Sequence, residues 1–375
     1  MNLIAEQSIL ADAMKKVSRQ GGTRSQFSQL PGLVRITMED NVLNLLTTDL
    51  DSATRCSVRV QSSENGACVV SSRLLADIVA AMPPGAIEIS LVDSMLFVKE
   101  KNMQFELRTM DINEFPPIVF PTGNPIELPK NTFVNLTRQI LKASSKDDTR
   151  PILTSIHMKA LTDELQFTST DSYRLSFARM SGVDTTSILD SEILIPSKVL
   201  TDVARLIGSS NNDSSGEDKL SINVSDTDIN FIFDNIEIYS RLVNGKFPSF
   251  ESVTNHTYKN KITISKSHLI DSLKRISILA KDDTSKVNLS WSEIGIELYI
   301  NSVTLGKANE QLEATYEGDE SFSIGFNPNF VIDGVEVLDG DTIEISFDDS
   351  KYAALISSPD DSNFKYYLMP IRIKD

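Results

Sequence analysis

The chain is poor in the residues that metal and disulfide chemistry need, with two cysteines and three histidines in 375 residues. Cys56 and Cys68 each sit in a strand-like stretch, which predicts buried, reduced thiols and a cytoplasmic setting. His157, His256 and His268 have neither ligand spacing nor a cysteine partner, so no metal or other cofactor is expected. His157 falls within a strand pattern and reads as a packed or edge residue. No stretch approaches the ~18–20 apolar residues of a membrane helix. The opening residues, Met1-Asn2-Leu3-Ile4-Ala5-Glu6, lack the basic region and apolar run of a signal peptide. Positive charge is scarce too: 36 Lys and Arg stand against 52 Asp and Glu, a formal net charge of −16. That balance argues against broad attraction to nucleic acid. Gly21-Gly22-Thr23-Arg24 is no phosphate loop, because no Gly-Lys-Ser/Thr follows and no strand precedes it. The pairs Asp147-Asp148, Asp282-Asp283, Asp348-Asp349 and Asp360-Asp361 lie in polar turns. Nothing converges on them for acid–base or metal work, so no catalytic constellation is expected.

What the chain does have is repetition. Thr168-Ser169-Thr170-Asp171-Ser172-Tyr173-Arg174-Leu175 follows the alternating Leu165 and Phe167. Thr47-Thr48-Asp49-Leu50 likewise follows Leu43 and Leu45. Each alternation predicts a strand, and each Thr-Asp a bend at its end. The echo belongs to a larger plan of three copies. A helix opens each one, over 8–19, 132–146 and 267–281. A second helix follows over 73–82, 198–207 and, more weakly, 330–338. Phe115-Pro116, Phe247-Pro248 and Met369-Pro370 close them. Copies of about 120–130 residues are of ordinary domain size and too long for solenoid units. With 40% hydrophobic residues, each copy can hold its own core. The boundaries fall at 1–124, 125–254 and 255–375, and Pro121-Thr122-Gly123-Asn124-Pro125 reads as a linker.

Charge follows the same plan. Lys15, Lys16, Arg19 and Arg24 surround the first opening helix. Lys130, Arg138, Lys142 and Lys146 mark the second, and Lys261, Lys266, Lys274, Arg275 and Lys281 the third. Three equivalent helices biased to positive charge in an acidic chain predict one basic surface built from repeated elements. The last helix breaks the pattern with Asp333, Glu336 and Asp339, and the sequence offers no reason for it.

Taken together, the three copies, Thr170-Asp171-x-x-Arg174-Leu175, Thr149-Arg150-Pro151-Ile152-Leu153, Lys246-Phe247-Pro248 and Met369-Pro370-Ile371-Arg372 resemble the bacterial DNA polymerase III β subunits, the sliding clamps. The match runs the full length of the chain and in order. The resemblance implies an α+β fold of three similar domains, the DNA clamp fold, in which a head-to-tail homodimer closes a ring with helices inside and sheets outside. It implies a non-enzymatic processivity factor that encircles double-stranded DNA without reading its sequence. The implied partners are the DNA polymerase III α subunit, the clamp loader, and other polymerases and repair proteins that bind through short linear motifs, with no membrane. DNA contacts carry over to Arg24, Arg73, Lys146, Arg150 and Lys198. A partner-peptide pocket carries over to Leu153, Thr170, Ser172, Tyr173, Arg174, Leu175, Pro248, Val253, Asn327, Phe330, Met369, Pro370, Ile371 and Arg372, with Arg174 and Arg372 as candidate holders of peptide carbonyls or a carboxylate. A dimer seam carries over to Phe105 and Leu107 opposite Ile278 and Leu279. The chain departs from many relatives in having Ser172-Tyr173 for Gly-His, and in Ser252 and Thr284. Two readings from other classes compete: an acidic repeat-domain interaction scaffold that never encircles DNA, and a hydrolase built on one of the Asp pairs.

Overall fold

The computed structural model describes residues 1–18, 32–209, 218–280, 286–292, 295–302, 304–318, 322–349 and 351–371. Arg19, Arg24, Lys281, Asp282, Asp283, Thr284 and Arg372 lie outside them. The paired helices of each copy are present. α1 (Gln7–Ser18) buries Leu10, Ala13, Met14 and Val17, the i, i+3, i+4, i+7 stripe of an amphipathic helix. Ile9, which its spacing of four from Ala13 and eight from Val17 predicts on the same face, is 48% exposed. α2 (Ser72–Ala81) starts where the Ser71 hydroxyl accepts a hydrogen bond from the Leu74 amide at 3.3 Å, and it stops ahead of Pro83-Pro84.

α3 (Lys130–Ile140) ends earlier than the expected Lys146. The Ser169 hydroxyl takes the Ile140 carbonyl, and the chain tightens into a 3-10 turn, Leu141–Ala143. Lys146 therefore sits in a loop, exposed. α4 (Ser197–Ser209), the one-turn α5 (Glu251–Thr254), α6 (Lys266–Ile276) and α7 (Pro328–Glu336) follow. α6 buries Leu269, Leu273 and Ile276, as their spacing predicts.

Contacts group the chain into two units, Met1–Lys130 with Arg205–Leu242, and Asn131–Ala204 with Val243–Asp375. The grouping cuts across the sequence copies because the sheets do. In the first unit an antiparallel sheet of 8 strands joins Ile236–Arg241 to Ser52–Arg59, with Ser240 opposite Ser52 and Ile236 opposite Cys56. In the second unit a sheet of 9 strands joins Asp361–Leu368 to Arg174–Ser181, with Leu368 opposite Arg174 and Phe364 opposite Ala178. In each case the last strand of one copy pairs with the strand that follows the Thr-Asp bend of the copy before it.

The counterparts of those joined strands end the two remaining sheets. Met103–Arg108, the last strand of the first copy, is an edge of a five-stranded sheet in the first unit. Gly306–Leu312, in the matching position of the third copy, is an edge of a four-stranded sheet in the second. An edge strand presents a row of amide and carbonyl groups that another strand can take up.

Candidate functional site

The two Thr-Asp bends are the same turn. In the first, the Thr48 hydroxyl donates to the Ser52 carbonyl at 2.7 Å and accepts from the Leu50 amide at 3.0 Å, while Asp49 Oδ1 accepts from the Ser52 amide at 2.8 Å. In the second, the Thr170 hydroxyl donates to the Arg174 carbonyl at 2.7 Å and accepts from the Ser172 amide at 3.1 Å, while Asp171 Oδ1 accepts from the Arg174 amide at 3.0 Å. Each bend holds its third residue, Leu50 or Ser172, at φ 81°. Thr and Asp suit the place because their short side chains satisfy backbone groups that the turn takes out of the ladder.

A pocket of about 230 Å³ opens beside the second bend. Thr170, Ser172, Tyr173, Arg174 and Leu175 form one wall, Pro248 and Val253 another, and Met369 stands at the rim. The Met369 amide donates to the Tyr173 carbonyl at 2.9 Å, which ties the two rim residues together. Tyr173 is 65% exposed and Met369 39%. The structure adds four lining residues that sequence reasoning missed: Ser249, Phe250, Ala353 and Tyr367. Neither Phe250 nor Tyr367 carries a local signal: Phe250 lies outside any strand, just ahead of α5, and Tyr367 sits in a run of three buried residues, Tyr366 to Leu368, that does not alternate. Leu175, Ala353 and Tyr367 form a buried cluster with Phe177, Phe250, Val253 and Leu355 packed on it. Burial pushes the Tyr367 phenol up to about 12.

Other expected lining residues do structural work nearby. Leu153 is buried and does not line the pocket. Asn327 caps α7, its Oδ1 accepting from the Asn329 amide at 3.0 Å. Pro370 and Ile371 run on past the rim, and the Ile371 amide donates to the Gly325 carbonyl at 2.7 Å. Phe330 lies under Arg174, whose guanidinium carbon sits 4.1 Å from the ring centroid.

Arg174, a candidate holder of peptide carbonyls or a carboxylate, has its guanidinium engaged within the chain. Its side chain is 10% exposed. Nε meets Asp171 Oδ2 at 2.9 Å, and Nη1 meets Asp333 Oδ2 at 2.7 Å and the Tyr366 hydroxyl at 3.2 Å. Burial works to lower the Arg174 pKa, but Tyr366, Asp333 and Asp171 outweigh it and raise it further. This network also explains the acidity of α7. Asp333 serves Arg174 and reaches Lys142 Nζ at 3.5 Å with its other oxygen, and Glu336 meets Lys142 at 3.1 Å.

The expected basic surface is accordingly thinner than composition suggested. Lys16 pairs with Asp12 at 2.7 Å, Lys130 with Asp234, Lys261 with Glu344 and Glu317, and Arg275 with Glu310. Lys266 bonds the Leu338 carbonyl. Lys15, Arg138, Lys146 and Lys274 have no ion pair among the described residues. Of the expected DNA contacts, Arg73 stands on the first turn of α2, with its side chain 88% exposed and 3.8 Å from Asp77. Lys198 is exposed on the first turn of α4. Arg150 lies in a loop with Nε 2.9 Å from Asp147 Oδ2. Hydrogen bonds from Thr149, and more weakly from Arg150, hold the Asp147 carboxyl below its usual range. At the expected seam, Phe105 is 39% exposed and Ile278 65%, whereas Leu107 is 7% exposed and already belongs to its own core.

His157 is packed, as its strand position predicts. Its ring stacks on Phe247 at 5.0 Å and 11°. Burial lowers its pKa, against an opposing pull from Glu192 3.4 Å away.

Models of the DNA polymerase III beta subunit match the chain in three consecutive pieces: the N-terminal domain over 1–119, the central domain over 127–249 and the C-terminal domain over 252–372. A beta sliding clamp of Streptomyces coelicolor is 28% identical over 384 residues, covering 100% of both chains. That of Bacillus subtilis is 26% identical and covers 99% of this chain and 100% of its own. The crystal structure of the DNA polymerase sliding clamp from Bacillus subtilis matches all of this chain with a TM-score of 0.92 at 26% identity. With its three clamp domains in order, the chain belongs to the bacterial DNA polymerase III β-subunit family, the β sliding clamps, and acts as a DNA sliding clamp.

Proposed function

We propose that two copies of the chain close head to tail into a ring around duplex DNA and serve, without catalysis, as a cytoplasmic processivity factor. The three domains are taken as 1–124, 125–254 and 255–375. The observation that carries the reading is the strand pairing from copy to copy. It is made twice within the chain and leaves Met103–Arg108 and Gly306–Leu312 as the complementary open edges. A second copy supplies each edge with the kind of partner the inner joints already have. Exposed Phe105 and Ile278 flank that seam, with Leu279 beside them and Leu107 supporting it from within.

A closed ring holds DNA by topology and needs no tight grip. Arg73, Lys146, Arg150 and Lys198, together with Arg24, then favour phosphates without reading bases. The acidic remainder limits binding of DNA outside the ring. The 230 Å³ pocket suits a short apolar segment of a polymerase III α subunit, a clamp loader or another polymerase or repair protein. Met369 gives the rim an adaptable wall for more than one partner.

Retention on circular DNA onto which a clamp loader has placed the protein, measured by gel filtration, tests the reading. The protein should stay with the circle and leave once the circle is cut. Equal retention on both forms would favour charge-driven association, and retention on neither would favour a scaffold that never encircles DNA. Fluorescence anisotropy with a labelled Gln-Leu-Ser-Leu-Phe peptide tests the pocket separately. Micromolar binding should weaken in Met369→Ala.

A further inference from the structure

Beside the 230 Å³ pocket lies a larger hollow of about 730 Å³ in the same unit. Pro248, Ser249 and Phe250 line both, so one short segment of chain forms a wall of each. The hollow has apolar surface from Phe177, Leu194 and Phe247, and its charged groups are almost all satisfied internally. Lys159 meets Glu192 at 2.6 Å, and the other Glu192 oxygen meets His157 Nε2 at 3.4 Å. Glu251 accepts from the Ser249 hydroxyl at 2.7 Å and the Phe250 amide at 3.1 Å. Lys246 is the exception: it lines the hollow, is exposed, and has no ion pair among the described residues.

We propose that this hollow receives the part of a partner chain that flanks its apolar anchor, and that this flank carries a carboxylate that pairs with Lys246. The proposal rests on the reading of the smaller pocket as the anchor site. Continuity decides the occupant: a chain anchored beside Pro248 and Phe250 has only to cross one wall to enter the larger hollow. Charge decides its chemistry. The charged lining group that has neither an ion pair nor a hydrogen bond among the described residues is the cation Lys246, so an acidic flank gains an ion pair there, whereas a basic flank meets it with like charge. A bound flank also adds affinity cheaply, because the anchor has already brought it to the surface.

Three labelled peptides test this by anisotropy: Gln-Leu-Ser-Leu-Phe alone, the same peptide with four residues including two Glu added before it, and the same with those four added after it. Each is titrated against wild-type protein and Lys246→Glu. One extended peptide should bind about fivefold more tightly than the anchor alone, the scale of one partly exposed ion pair. Lys246→Glu should abolish that gain and leave the anchor's own affinity unchanged. A gain that shrinks as salt rises supports the pairing. The inference is overturned if neither extension improves on the anchor, or if the gain survives in Lys246→Glu. If the bare anchor fails to bind the wild-type protein, the reading of the smaller pocket fails and takes this inference with it.

Discussion

Replacing Arg174 with methionine keeps an apolar stem of similar length and removes the guanidinium. In the wild type that group donates to Asp171, Asp333 and Tyr366 and covers the Phe330 ring. A hydrogen bond to a charged group contributes about 1.5–3 kcal/mol, and a desolvated cation over an aromatic ring about 2 kcal/mol. The full sum is not lost, because the carboxylates regain water: the Asp333 side chain is 37% exposed and Asp171 15%. The expected loss is about 3 kcal/mol, the lower end of the range for breaking a buried ion pair. At a slope of roughly 3 kcal/mol per molar urea, the unfolding midpoint falls by about 1 M. Arg174→Lys should lie between the two, since it keeps the charge and loses the planar fork. Peptide affinity measured on the folded fraction should fall less steeply than stability. A variant that unfolds at the wild-type midpoint while losing peptide binding would refute the reasoning, and would put the guanidinium on the ligand rather than on the fold.

Ser172→Gly should stabilise the protein by about 1 kcal/mol in urea unfolding, because Ser172 occupies the left-handed region at φ 81° that glycine adopts without strain. Gly334→Ala should destabilise by about 1–3 kcal/mol in the same assay, since a Cβ at that point of α7 would run into the buried Tyr366 ring. Burial holds His157 below its ordinary 6.5, so under about pH 6.5 the unfolded chain binds the proton and the folded chain resists it. Stability should therefore fall with pH in that window by up to about 1.4 kcal/mol per unit, and His157→Gln should flatten the slope in a pH series of urea midpoints. Ile278→Ala with Leu279→Ala should yield monomers, and a variant that still sediments as a dimer at micromolar concentration would move the seam elsewhere.

Features that depend on local pattern are legible in the order of residues alone. Alternation at Leu43, Leu45, Leu165 and Phe167 specifies half-buried strands, and Thr-Asp specifies the bend after each, because backbone and side chain satisfy one another within five residues. Apolar spacing placed α6 for the same reason, and α1 apart from Ile9. Contacts between residues far apart in the chain leave no such local pattern. The end of α3 depends on Ser169 reaching the Ile140 carbonyl, and a hydroxyl 29 residues away leaves no mark on helical periodicity. The acidity of α7 looked anomalous because its cations, Arg174 and Lys142, come from another copy. The basic helices looked uniformly available because composition counts charges without their partners. The pocket was half legible, since Thr170 to Leu175 lie in one motif. Tyr367 joins them through strand pairing, which sets it opposite Leu175, and Ala353 packs on both, so the wall is made from residues that no local spacing connects.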